Sequence, residues 1–177
     1  MLKALGSIAT QQANGTEKTM KAVTQLLNCA ATHPESAVRY TASDMIPHVD
    51  SDASYLSEPK ARSCIGGYHH LSFQSKEPPD EKSPEPKFNA PVHVVCTILR
   101  TVVSSAAEAE LAALFYNCKE ASSIRITLEE LGHPQPATPI RTDNTTAAGI
   151  ANDTVKQKRS KAIDMRFYWV RDRVRQN

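Results

Sequence analysis

The sequence lacks any long apolar run. Its most apolar stretch, Asn89–Leu99, is interrupted by Pro91 and His93. Nothing approaches the roughly 20 residues a membrane-spanning helix needs, so no membrane partner is expected. The first fifteen residues hold no continuous apolar core and turn polar by Thr10, so a secretory signal is not expected either. Cysteine is sparse. Cys29, Cys64, Cys96 and Cys118 lie 35, 32 and 22 positions apart, with no Cys-x-x-Cys and no histidine pair at zinc spacing beside them. That excludes a zinc module on spacing. His69 and His70 are adjacent, so on a strand they point to opposite faces and cannot share one ion. Cys118 falls on an apolar helical stripe and reads as a small core residue. Reduced thiols and an intracellular setting, cytoplasmic particle or nucleus, are expected. No internal repeat is visible.

What is present suits one modest domain, or one domain with an appendage. The chain has 177 residues, 40% of them hydrophobic and 23% charged, enough to build a core. The net charge of +2 conceals an asymmetry. Residues 156–175 hold eight basic side chains against Asp164 and Asp172, a local +6 over a body of −4. A basic segment of this kind suits a polyanion partner or a solvated helix face.

Local patterns give an element order. Residues 1–35 read as helical: Asn14–Gly15 makes a break, Thr16 can cap, and Met20, Val23, Leu27 and Ala30 recur at helical spacing as a packing stripe. His33–Pro34 ends this helix. Strands are expected at 45–55, at 64–73 with Gly66–Gly67 allowing a bend or bulge, and at 92–99. Between the last two, residues 76–91 contain five prolines in sixteen positions and read as an exposed loop. Ser105 and Glu108 form a capping box before a long helix with the stripe Leu111, Leu114, Phe115 and Cys118, continued by Ile124 and Leu128. Gly132 stops it. A short strand and a small-residue helix start are expected at 139–153. A basic helix is expected at 159–174, with Ile163, Phe167, Val170 and Val174 on one stripe. Three consecutive strands and a helix-linked fourth describe a mixed α/β sheet, an antiparallel meander plus a crossover.

Three acids fall where such a sheet would expose them at one end. Asp52 lies in the first strand, Glu110 in the first turns of the long helix and Asp143 at the end of the fourth strand, 58 and 33 positions apart. Carboxylates are hard oxygen ligands for Mg²⁺, and a pair of such ions can activate water against a phosphodiester.

The segments "SDASYLSEPKAR" with "GGY", "SSAAEAELAAL", "IRTDNTTAAGIAND" and "RSKAIDMRFYWVRDRV" occur in that order. In them the chain resembles the ribonuclease H domain of copia-type LTR retrotransposon polyproteins, over about residues 45–175. Residues 1–40 resemble the helical tail of the preceding reverse transcriptase region. The resemblance implies a ribonuclease H-like mixed sheet with flanking helices. It also implies hydrolysis of the RNA strand of RNA–DNA hybrids with Mg²⁺ or Mn²⁺, in company with the rest of the polyprotein. By resemblance Asp52, Glu110 and Asp143 are the metal-holding catalytic acids. Asp50 is the rival of Asp52, and Glu108 that of Glu110. Lys158, Arg159, Lys161 and Arg166 are candidate phosphate contacts. The family continues into a fifth strand, a last helix and a fourth acid in a Leu-Ala-Asp-like motif. No counterpart occurs here, so the last strand and helix are expected to be missing from an incomplete domain spanning 45–177. Asp164, in the basic helix, reads as a cap or ion-pair partner rather than a substitute. The runner-up reading is an inactive retroelement remnant that binds nucleic acid weakly.

Overall fold

The computed structural model describes residues 1–74, 89–155 and 164–176, with residues 164–167 described in their backbone only. Most of the proline-rich segment 76–91 therefore lies outside the described residues. The chain divides into two compact units, Met1–Arg39 and Tyr40–Asn177.

The first unit holds helix α1 (Leu2–Ala9), a single 3-10 turn (Gln12–Asn14) and helix α2 (Glu17–Thr32). Thr16 caps α2 as its type allows: its hydroxyl accepts the Thr19 N–H while Thr19 Oγ1 accepts the Thr16 N–H, each at 3.2 Å. The α2 stripe does not pack as expected. Met20 and Leu27 are 65% and 63% exposed, and Thr19 is the one buried residue of the helix. Within its unit the helix that packs on α2 is the eight-residue α1, too short a partner to cover a sixteen-residue helix.

The second unit is built on a four-stranded sheet. Strands β1 (Ile46–Glu58), β2 (Arg62–Ser72) and β3 (Pro91–Ile98) form the antiparallel meander. Helix α3 (Ala106–Glu130) then carries the chain across, and β4 (Ile140–Arg141) pairs parallel with β1. The order is β3-β2-β1-β4. Helices α4 (Thr145–Ala151) and α5 (Asp164–Gln176) follow. This mixed sheet with flanking helices is a ribonuclease H-like α/β architecture, with four strands among the described residues.

Helix α3 is the central packing element. Ser105 caps it by accepting the Glu108 N–H at 3.1 Å, but the expected box closes one residue early: the Glu108 carboxylate takes the N–H and hydroxyl of Ser104, at 2.6 and 2.7 Å. Gly132, at φ +90°, adopts the left-handed conformation past the helix end. Six consecutive residues, Ala109–Leu114, are buried, more than one stripe accounts for. Ala109, Ala112 and Ala113 lie against Ile65, Leu99 and Val103. Leu111 turns to Ile150 of α4, and Cys118 to Ala151 and Val170. The helix is thus covered on two sides, which a single-face pattern does not anticipate. Burial pushes the Cys118 thiol up to about 11, consistent with an inert core residue. Val174, placed on the α5 stripe by its spacing, is 45% exposed, while Val170 is buried.

Gly66 and Gly67 also differ from expectation. Both sit in unbroken ladders with β1 and β3; the register shift on the β3 side comes later, between His69 and His70. The reason for glycine at 67 is close approach: a Cβ there would overlap the Asn117 side chain of α3. Asn117 is fully buried. Its amide donates to Ser51 Oγ and to the Gly66 carbonyl, both at 2.9 Å, and its Oδ1 accepts from His69 Nε2 at 3.1 Å. That polar clasp ties α3 to the sheet and fixes how far along β1 the first turns of the helix lie.

Candidate metal centre

The site forms where β4 stops and β1 runs on. The Val49 N–H on this edge of β1 donates to the Pro139 carbonyl. Four residues further along the same edge, β4 has ended, and the Ala53 N–H donates to Glu110 Oε1 at 3.1 Å instead. A carboxylate from the first turns of α3 thereby replaces a strand partner. The Thr142 hydroxyl, next after β4, donates to Glu110 Oε2 at 3.5 Å and accepts the Asn144 N–H at 3.3 Å. Asn144 in turn caps α4, accepting the Ala147 N–H at 2.9 Å.

Asp52, Glu110 and Asp143 converge at this gap. Each offers a carboxylate oxygen, and these oxygens all lie within 4.8 Å of one another. Glu110 is buried, whereas Asp52 and Asp143 are exposed. Among the described residues none of the three has an ion pair with Lys, Arg or His. Burial, above all, drives the Glu110 carboxyl up, to about 7. The Ala53 N–H opposes that rise, the negative charges of Asp52 and Asp143 add to it, and the Thr142 hydroxyl opposes it weakly.

The donor set fits a hard divalent cation. All three donors are oxygens, and two ligands of one Mg²⁺ at 2.0–2.1 Å lie about 3–4 Å apart, within reach of small side-chain rotations here. A cation would also offset the like-charge repulsion among the three acids.

The rival acids are engaged elsewhere. Asp50 accepts from Arg141 Nε at 2.9 Å and lies 3.9 Å from His70 Nδ1. Glu108 completes the cap at Ser104. Asp164 begins α5, but its side chain lies outside the described residues, as does that of Arg166; Lys158, Arg159 and Lys161 lie outside them altogether. The described arginines of α5 are tied internally: Arg171 and Arg175 pair with Asp153, and Arg173 pairs with Asp172. The adjacent histidines separate as their spacing requires. His69 meets Asn117, while His70 lies among His48, Tyr68 and Asp50, its ring centroid 5.6 Å from those of His48 and Tyr68.

Sequence reasoning passed over Thr142 and Asn117. Thr142 stands beside Asp143 in "RTDN", so its position was visible, but its partner was not. Asn117 carries no spacing signal at all, since its three contacts come from β1 and β2.

An α/β domain of ribonuclease H-like architecture with a candidate carboxylate metal centre is therefore the class that fold and site define. No protein-family model matches the chain, and no curated protein matches it. Among solved structures it is similar to the crystal structure of the prototype foamy virus protease-reverse transcriptase in its native form, with 16% identity and a TM-score of 0.41. The match covers 81% of this chain and 17% of that one, so the chain spans about a sixth of the length of that protein. No helix among the described residues is long and apolar enough to cross a membrane.

Proposed function

We propose that this chain is a ribonuclease H-type domain of a copia-like retroelement polyprotein. It hydrolyses the RNA strand of RNA–DNA hybrids with Mg²⁺ or Mn²⁺ held by Asp52, Glu110 and Asp143. The observation that carries this reading is the meeting of three carboxylates from three distant segments beside β1, just past the end of β4. A divalent cation bound there supplies Lewis acidity toward a phosphoryl oxygen and acidifies its bound water. The chain's own residues set the geometry. Glu110 is anchored on one oxygen by the Ala53 N–H and on the other by Thr142, so its carboxylate keeps one orientation. Asp52 and Asp143 face solvent, the side from which a phosphodiester arrives. Recognition of the hybrid rests on backbone charge and on groove shape with 2′-hydroxyls, not on base identity.

The test is cleavage of an end-labelled RNA–DNA hybrid with Mg²⁺ or Mn²⁺. Asp143→Asn should lower the rate by at least about 100-fold, the upper end of what losing even an outer-sphere partner costs a metal site. Absence of metal-dependent cleavage by the wild type would sink the reading. The second reading, an inactive remnant that binds nucleic acid, has one observation in its favour: the cluster holds three carboxylates among the described residues where the resembled family has four. Hybrid binding without cleavage would select it.

A further inference from the structure

Asp52 is bracketed by two bonds from helix α3. The residue before it, Ser51, accepts from the Asn117 amide at 2.9 Å, and the residue after it, Ala53, donates to Glu110 Oε1 at 3.1 Å. The second Asn117 donor bond, also 2.9 Å, goes to the carbonyl of Gly66, the β2 residue paired in register with Asp52. Asn117 and Glu110 are seven residues apart on α3. That is close to two helical turns, so they share one face of the helix, about 10 Å apart along its axis. The helix is thus pinned at two points, and the acid on β1 lies between them.

The Asn117 amide can point only one way. A carbonyl accepts and cannot donate, so the amide nitrogen must face Gly66. Its oxygen then faces His69 Nε2 at 3.1 Å, and that ring nitrogen carries the proton. Asn117 and His69 are both fully buried, where a bond left unmade is costly. Gly67 leaves the room in which the amide sits. Glu110 alone is poorly suited to hold the helix start here. Once ionised it is repelled by Asp52 and Asp143. The bonds of Asn117 to a hydroxyl and a carbonyl are neutral, so they hold whether or not the acids are charged.

We propose that Asn117 is a positioning residue of the metal centre: it holds α3 against β1 and β2 at Asp52, so that Glu110 stands at the separation from Asp52 that one divalent cation can bridge. This rests on reading the carboxylate cluster as a metal centre. Asn117 acts through Glu110 and Asp52, not on the cation itself.

The experiment titrates Mn²⁺ into the full chain by calorimetry and follows thermal unfolding of each variant without metal. Asn117→Leu keeps a branched side chain and removes all three bonds. Asn117→Asp keeps the oxygen for His69 and removes both donors. Each should bind Mn²⁺ about 10–100-fold more weakly. Ser51→Ala serves if the Asn117 variants do not fold; it removes one bond and should lose affinity in the same direction, by less. Leu128→Ala, buried near the far end of α3, is the control: it should lower the melting temperature and leave the affinity unchanged. Electron paramagnetic resonance of the bound Mn²⁺ gives a second readout, because altered ligand spacing changes the zero-field splitting and a loss of stability does not. In cleavage, the Mg²⁺ concentration for half-maximal rate should rise, with kcat at saturating Mg²⁺ little changed. Wild-type affinity and spectrum in Asn117→Leu and Ser51→Ala would overturn the proposal and leave the metal centre standing. An equal affinity loss in Leu128→Ala would overturn it too, since stability alone would then move the site. Weakened Mn²⁺ binding in a chain that never cleaves supports Asn117 and removes catalysis. A wild type that binds no Mn²⁺ removes the metal centre and the proposal with it.

Discussion

Glu110 carries the sharpest conflict in the molecule. It is buried, it faces two other carboxylates, and its carboxyl is held near 7 where an ordinary glutamate titrates at 4.5. A raised carboxyl penalises folding once the unfolded chain ionises. Below about pH 4.5 both states carry the proton and the penalty is absent; it grows as pH rises to about 7 and is full above that. Glu110→Gln should therefore stabilise the fold by up to about 3 kcal/mol at pH 7.5, with the gain vanishing near pH 4. Urea unfolding of both proteins at the two pH values checks this. A destabilised variant at pH 7.5 would show that the carboxylate is already compensated by a group other than a metal. Gly67 presents the opposite case, with no charge and no room. Gly67→Ala should cost about 1–3 kcal/mol, because Asn117 cannot withdraw without losing Ser51, Gly66 and His69. A neutral effect in thermal unfolding would mean that the clasp is loose. The sequence showed the pair of glycines, but the side chain that demands one of them lies 50 positions away.

At the scale of elements, the start of α3 and the end of β4 together make the site. Ser105 holds the first turn of α3, and Glu110 projects from the next. Ser105→Ala should cost about 1 kcal/mol and also weaken Mn²⁺ binding, as loosening that turn loosens Glu110. Isothermal titration of the variant against wild type measures it. Unchanged metal affinity would show that the Ala53 and Thr142 bonds alone place the carboxylate. The order of elements was legible because several have a local cause: a β-branched run for β3, Ser105 and Gly132 for the ends of α3, and Pro34 for the end of α2. The two buried sides of α3 were not legible. Alanines at 109, 112 and 113 are good helix formers whether or not a sheet covers them, and only the sheet makes them core. The exposed face of α2 makes the same point in reverse, since an apolar stripe predicts burial only where a partner exists to supply it.

At the scale of the whole molecule, the pH response combines these terms. Burial, first of all, lowers His48, His69 and His70 below their usual range. A histidine kept neutral in the fold contributes stability that is present above about 6.5, the unfolded value, and is lost as pH falls below it. Glu110 works in the other sense over 4.5–7, one carboxyl against three imidazoles. Stability should thus decline as pH drops from 7 toward 5, and more steeply in Glu110→Gln, where the opposing contribution is gone. Melting temperatures across that range test it, and a flat profile in both proteins would contradict the burial of the three rings.

What the sequence determined by itself is what short-range chemistry determines: the kinds of element, their order, most of their ends, and three acids, one within the first strand, one in the first turns of α3 and one just past the fourth strand. Tertiary structure alone decided that β4 pairs for only two residues, so that Glu110 takes the Ala53 N–H in its place. It also decided that Asp50 is engaged by Arg141 while Asp52 is left to the cluster. The physical reason is range. A cap or a strand run is settled among neighbours within a few residues, whereas the charge state and orientation of a carboxylate depend on groups brought beside it from 57 and 32 positions away.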